Sequence, residues 1–236
     1  MIPAGRNSVM ASRREPPDSL EFFPTPPWST RALMVHVLPS LGDALPPIRT
    51  AWDPACGEGH MSEVLAEFVP HVRASDVFDY GRGYEVRDYL DSSTALEPSV
   101  DLIATNPPFG PAARFAIAAM AQARVVALLL RTQWNEGQDR YNEIHRDRPP
   151  TLYAPFVERV PMHKGRWEPN GSTATAYAWF IWVAGVAPRA PFHIPPGCRK
   201  ALTLPTDAAR FAQAAEIPLF EPSAPVGAPC PCEVAA

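Results

Sequence analysis

Four side chains able to hold a polar ligand stand at or just after the ends of segments that read as strands: Asp53, Asp76, Asp88 and Asn106. The first heads the segment Asp53-Pro54-Ala55-Cys56-Gly57-Glu58-Gly59-His60. Gly57 and Gly59 permit a tight turn and a close backbone approach. A loop that cradles a pyrophosphate more often reads G-x-G-x-x-G. Here an acid leads the loop, which disfavours phosphate and favours a cationic or amine-bearing ligand. Asp76 stands 23 residues after Asp53, at the end of the next such segment. A carboxylate at that spacing suits the ribose hydroxyls of an adenine nucleoside. A glycine turn with helix-capping acids would use the same residues. Likewise Asn106-Pro107-Pro108-Phe109, taken alone, also reads as a rigid turn.

The elements that position these residues alternate. Pro-stiffened Phe22-Phe23-Pro24-Thr25-Pro26-Pro27 leads into a helical pattern from Trp28 to about Leu38. Ile48 to Trp52 reads as a short buried strand, about Met61 to Val69 as a helix, and Val72 to Val77 as a second strand. Tyr84 to Val86 gives a third strand and Val100 to Thr105 another, with a helix over Ala112 to Ala123 and a strand over Val125 to Leu130. Glu136 to Arg146 is a polar, exposed helix; Phe156 to Val160 and Ala174 to Val183 are two late β-rich stretches. Alternation of this kind implies right-handed βαβ units and a mostly parallel sheet with helices on both faces, closed by a late antiparallel hairpin. Ligands of such sheets sit beyond the carboxyl ends of the strands. The four polar residues therefore converge on one cleft.

Composition narrows the class. The 236 residues hold 30 prolines, against a usual ~5%, which excludes a bundle of long uninterrupted helices. With 46% apolar residues and 11 Phe, 6 Trp and 6 Tyr the chain is not of the disordered class. Residues 1–20 read as a flexible arm without the apolar core of a signal peptide, 21–187 as one α/β domain, and 188–236 as an irregular proline-rich tail. No apolar run reaches the ~20 residues of a membrane span. Cys230-Pro-Cys232 is half of a metal pair without its second half, so no metal is expected, and the scattered thiols suit a cytoplasmic protein. The net charge of −4 hides an asymmetry: residues 1–110 carry 8 basic and 15 acidic groups (net −7), and residues 111–200 carry 12 and 6 (net +6). Separated signs suggest a basic face that meets a polyanion.

Together the motifs resemble those of class I S-adenosylmethionine-dependent methyltransferases, and within them the amino-methylating DNA enzymes. Asp53-Pro-Ala-Cys-Gly57-Glu-Gly59 is similar to motif I and Phe22-Phe23-Pro24-Thr25-Pro26 to the upstream motif X. Asp88-Tyr89-Leu90 resembles motif III, and Asn106-Pro107-Pro108-Phe109 the (Asp/Asn/Ser)-Pro-Pro-(Tyr/Phe) motif IV. The resemblance implies a Rossmann-like fold and S-adenosylmethionine held by Phe23, Thr25, Pro26, Asp53, Pro54, Ala55, Gly57, Gly59, His60, Asp76, Asp88 and Tyr89. It implies that the Asn106 side-chain oxygen and the Pro107 carbonyl accept the two hydrogens of an adenine N6. Its lone pair then turns towards the methyl group, and Phe109 stacks on a base flipped from its duplex. The motif order X, I, IV is γ-like, and compact bacteriophage and prophage adenine methyltransferases look most similar. Such an enzyme would work in the cytoplasm of a bacterial cell or phage-infected host, without metal.

A departure concerns the target. Large γ-type enzymes carry a separate recognition domain, whereas only about fifty residues follow Val183 here. The expected contacts to DNA, double-stranded in the first instance and RNA in the second, are Arg131, Trp134 and Arg140, then Lys164, Arg166 and Trp167. Basic residues interleaved with aromatics suit phosphate contact and stacking. Rival readings are an RNA or protein-glutamine amino-methyltransferase, or an inactive nucleic-acid-binding module.

Overall fold

The computed structural model describes residues 21–91 and 99–212. The expected N-terminal arm, and Cys230 with Cys232, lie outside the described residues. Pro27 opens helix α1 (Pro27–Ala32), where a missing N–H costs nothing, and a π-turn, Leu33–Val37, continues it. Then follow β1 (Thr50–Asp53), α2 (Ser62–Leu65), β2 (His71–Asp76), β3 (Glu85–Val86), β4 (Val100–Thr105), α3 (Ala112–Gln122) and β5 (Ala123–Arg131). A short helix α4 (Gln138–Arg140) precedes β6 (Leu152–Pro155) and β7 (Tyr177–Val183), and α5 (Cys198–Leu202) and α6 (Asp207–Phe211) end the described chain.

The strands form one sheet in the order β3-β2-β1-β4-β5-β7-β6. All pairings are parallel except those of β7, which runs antiparallel to both β5 and β6. The chain steps outward from β1 to β3, then returns to place β4 on the other side of β1. That reversal opens a crevice at the carboxyl ends of β1 and β4, where ligands of open α/β sheets bind.

The two faces of the sheet are legible in β5. Val125, Ala127 and Leu129 join one apolar cluster with α1, while Val126, Leu128 and Leu130 join another with α3. A strand buried on both faces reads as a continuous apolar run, as the parallel interior requires. The late hairpin is present, but its first strand is Leu152–Pro155, not Phe156–Val160. Pro155 ends it on the edge of the sheet, where a missing donor is tolerated, and Phe156 makes only an isolated bridge to Ile194.

Residues 188–212 are built into the fold, contrary to the expected irregular tail. Asp207, fully buried, accepts from both terminal nitrogens of Arg31 at 2.7 and 2.8 Å, and Glu67 takes Arg31 Nε at 2.8 Å. Arg31 is itself only 3% exposed. The pair pins α6 onto α1, a union that proline counting does not foretell.

Candidate active site

Asp53 ends β1 and Asp76 ends β2, in neighbouring parallel strands. The loop between β1 and α2 turns through Gly57 and Gly59, at φ 54° and 89°. Side chains rarely adopt these angles, and a Cβ at Gly57 would also lie 2.5 Å from the Phe22 ring. The Gly57 N–H donates to Asp76 Oδ2 at 2.8 Å and the Phe78 N–H to Oδ1 at 3.1 Å. Asp76 thus ties the loop to the end of β2. Burial raises its pKa, and those backbone donors oppose the rise.

Asp53 is 1% exposed. Its Oδ2 accepts from Ser62 Oγ at 3.0 Å, and Oδ1 has no hydrogen-bond partner among the described residues. Burial pushes its pKa up to about 7, against the nearby hydroxyls of Thr105 and Ser62. A buried carboxylate with one oxygen unpartnered carries an unmet desolvation cost, which a cationic partner would offset.

The cleft runs from Phe22, Phe23 and Thr25 past Asp53, Pro54, Ala55 and Gly57 to Asp76, Asp88, Tyr89 and Asn106. Pro26 and Gly59 do not border it. The Pro26 carbonyl instead caps α1 by accepting from Ser29 N–H and Oγ. Gly59 backs against Tyr84, whose hydroxyl fills the space a Cβ would need. His60 borders the cleft, and its Nε2 stands 3.0 Å from the Phe211 carbonyl. A carbonyl only accepts, so Nε2 carries the hydrogen, and burial lowers the ring's pKa and keeps it neutral. Tyr89 packs edge-on against Trp52 at 5.2 Å with its hydroxyl unpartnered, while Asp88 is exposed and accepts the Leu90 N–H at 2.9 Å.

Asn106 follows β4 at the crevice. Its Nδ2 donates to the Phe23 carbonyl at 3.0 Å and lies 3.6 Å from Met162 Sδ. Because a carbonyl faces the nitrogen, the amide orientation is fixed, and Oδ1 is left as an acceptor without a partner. Phe109 carries the Arg131 guanidinium over its ring at 4.0 Å, with the Phe23 ring tilted beside it at 5.4 Å.

The residues expected to meet the target divide. Arg131 stands at the site, stacked on Phe109. Trp134 is turned inward, edge-on to Phe180 at 5.0 Å with Arg140 over it at 4.2 Å. Trp167 is buried in a small cluster with Val64 and Phe211. The Trp167 indole offers no free face, whereas Trp134 is half-buried with Arg140 over its ring. Lys164 and Arg166 are exposed, Arg166 paired with Glu168 at 2.6 Å. The sequence reading missed Glu21, Tyr80 and Phe115, all of which border the cleft. For Phe115 the signal was its place on the first turns of α3, facing β4; Glu21 and Tyr80 carried none.

No protein-family model matches the chain, and no curated protein sequence does. Solved structures do. A Vibrio vulnificus protein described as a modification subunit of a type I restriction enzyme superposes with a TM-score of 0.55 at 14% identity, over 75% of this chain and 48% of that one. A Listeria monocytogenes protein described as a class I S-adenosylmethionine-dependent methyltransferase gives 0.50 at 13%, over 77% and 68%. A Pyrococcus horikoshii protein described as an RNA methyltransferase gives 0.51 at 17%, over 72% and 90%. The chain spans about half the length of the restriction-system subunits that it resembles. Its fold is the Rossmann-like fold of class I methyltransferases, with the seventh strand inserted antiparallel between the fifth and sixth.

Proposed function

We propose that the chain binds S-adenosylmethionine and transfers its methyl group to an exocyclic amino nitrogen, adenine N6 in DNA, as a compact enzyme of phage type. The observation that carries this reading is Asn106, whose Nδ2 is tied to the Phe23 carbonyl while Oδ1 is left unpartnered beside an acid-lined cleft.

The cleft suits that cofactor. Asp53 offers an unpaired carboxylate oxygen to an ammonium group, and Asp76 a carboxylate to ribose hydroxyls. Asp88 and Tyr89 border the end of the cleft beyond Asp76, where an adenine would lie. When bound, S-adenosylmethionine supplies an electrophilic methyl group on a positively charged sulfur. The chain's own task is to prepare the nucleophile. An adenine N6 is weakly nucleophilic because its lone pair is delocalised into the ring. Asn106 Oδ1 and the Pro107 carbonyl each accept one N6 hydrogen, which draws the lone pair out of the ring plane and aims it at the cleft. Pro107 and Pro108 fix the backbone so that these acceptors stay in register. Such fixed dipoles act where charge develops and need no reorganisation. Phe109 is the aromatic of the motif on which a flipped base would stack, a contact worth roughly 1–3 kcal/mol. Lys164 and Arg166 extend the basic surface towards phosphates.

RNA is the second substrate class, favoured by the likeness to the Pyrococcus horikoshii protein over 90% of that chain. The test incubates the protein with methyl-labelled cofactor and, separately, duplex DNA, single-stranded DNA, RNA and protein extract. The expected outcome is label in duplex DNA, recovered as N6-methyladenine after digestion. Label only in RNA or protein, or none in any substrate, would overturn the reading.

A further inference from the structure

The segment that enters the fold ahead of α1 does more than border the cleft. Three consecutive residues accept three hydrogen bonds from two separate parts of the site, the tetrapeptide and the loop that carries Lys164 and Arg166. The Glu21 carboxylate accepts the Phe109 N–H at 2.7 Å. The Phe22 carbonyl accepts the Gly165 N–H at 2.9 Å, from the loop that carries Lys164 and Arg166. The Phe23 carbonyl accepts Asn106 Nδ2 at 3.0 Å.

Chemistry makes the first of these bonds special. Pro107 and Pro108 have no N–H, so after Asn106 the next backbone donor of the tetrapeptide is Phe109. The tetrapeptide therefore hangs from its two ends: the Asn106 amide on Phe23 and the Phe109 N–H on Glu21. The second anchor is a short, charge-assisted bond. Without it, Phe109 keeps only non-directional contacts: the Arg131 guanidinium, the Phe23 ring and the edge of the apolar core. Rings slide and tilt at little cost, whereas a hydrogen bond to the main chain fixes the peptide that carries the Pro108 carbonyl, and the rigid φ of Pro108 passes that constraint to the peptide of the Pro107 carbonyl.

We propose that Glu21 is a positioning residue for methyl transfer, a role that rests on the reaction proposed above. It holds the Phe109 N–H, sets the plane of the ring on which the base stacks, and keeps the Pro107 carbonyl aimed at the amino group. The role needs an acceptor, not a charge, so glutamine serves and alanine does not.

The experiment compares the full chain with Glu21→Gln and Glu21→Ala. The first readout is amide hydrogen exchange at Phe109, which does not depend on activity. Glu21→Ala is expected to speed it about tenfold or more, the range of a hydrogen bond to a charged group, and Glu21→Gln to leave it near wild type. The second readout is the single-turnover transfer rate at saturating cofactor and nucleic acid. There Glu21→Ala is expected to lose about tenfold, with cofactor affinity within a few fold and Glu21→Gln restoring the rate. Unchanged Phe109 exchange in Glu21→Ala overturns the contact. An unchanged rate, a loss confined to cofactor affinity, or a Glu21→Gln variant as slow as Glu21→Ala overturns the positioning role. A wild-type protein that methylates nothing refutes the reaction instead, and the exchange result still decides whether Glu21 holds the tetrapeptide.

Discussion

If Asp53 pairs with the ammonium group of the cofactor, as proposed, its burial sets a pH dependence that separates cofactor binding from chemistry. Burial raises its pKa from the ordinary 3.8 to about 7. Below that value the group is mostly neutral and cannot pair with the ammonium group of a bound cofactor; above it, the carboxylate is available. If the bound form is fully ionised, affinity follows the ionised fraction of the free protein. That fraction rises about tenfold between pH 6 and pH 8. Above about pH 8 the ligand's own amine begins to lose its proton, and the gain ends. Burial lowers the pKa of neighbouring His60, which disfavours an opposing charge there. Titration calorimetry from pH 5.5 to 8.5 is the assay, and at pH 6 binding should release roughly one proton. Asp53→Asn keeps an acceptor for Ser62 but should flatten the profile and weaken binding. The sign for stability is the reverse. Between 3.8 and about 7 the unfolded chain ionises Asp53 and the folded, ligand-free one does not, so stability falls as pH rises through that window. The interval corresponds to at most roughly 4 kcal/mol. Asp53→Asn should therefore raise the melting temperature of the ligand-free protein at pH 8, by something of the order of 10 °C. A pH-independent wild-type affinity, or an Asp53→Asn protein that melts lower at pH 8, would refute the argument.

Other substitutions separate the remaining roles. Asn106→Ala should slow single-turnover transfer by about a hundredfold or more while cofactor affinity stays within a few fold; wild-type rates would remove Asn106 from the chemistry. Asp76→Ala removes the acceptor of both the Gly57 and Phe78 N–H groups, so cofactor affinity should fall about tenfold or more by calorimetry. Unchanged binding would take Asp76 out of the site. Asp207→Ala leaves buried Arg31 with Glu67 as its one carboxylate partner, beside the Leu202 carbonyl, and should destabilise by about 3–5 kcal/mol in thermal or urea unfolding; an unmoved transition would show that α6 is not pinned by this pair.

What the sequence disclosed and what it hid have different physical origins. The central strands and their ends were legible because burial on both faces demands apolar runs, and Asp53 and Asn106 mark where those runs stop; β2, half-buried and mixed in composition, was legible from its place between helix and loop. Val100–Thr105 is bounded identically in the sequence reading and the structure. The first strand of the hairpin was misplaced because an edge strand is short and Pro155 disguises it. Trp167 was misjudged for a different reason. An aromatic among arginines has the same local pattern whether it stacks on a base or fills a gap, and only tertiary packing decides. Glu21 was invisible because its partner, the Phe109 N–H, is a backbone group 88 residues away.

The same distinction gives α6 a meaning beyond stability. Phe211 tilts against the His60 ring at 5.4 Å and meets Trp167 edge-on at 6.4 Å. Its carbonyl takes the His60 Nε2 hydrogen. His60 closes the loop that begins at Asp53, and Trp167 sits in the loop whose Gly165 bonds to Phe22. One residue near the end of the described chain thus braces the cofactor loop from behind and the basic loop from beneath. The buried Arg31–Asp207 pair fixes the helix that carries it. A loop rich in glycine costs backbone entropy to order, and here that order is supplied by packing from a distant segment. The histidine of Asp53-to-His60 is therefore explained by two neighbours at once: the cleft on one side, and on the other the proline-rich stretch whose composition alone had marked it as tail.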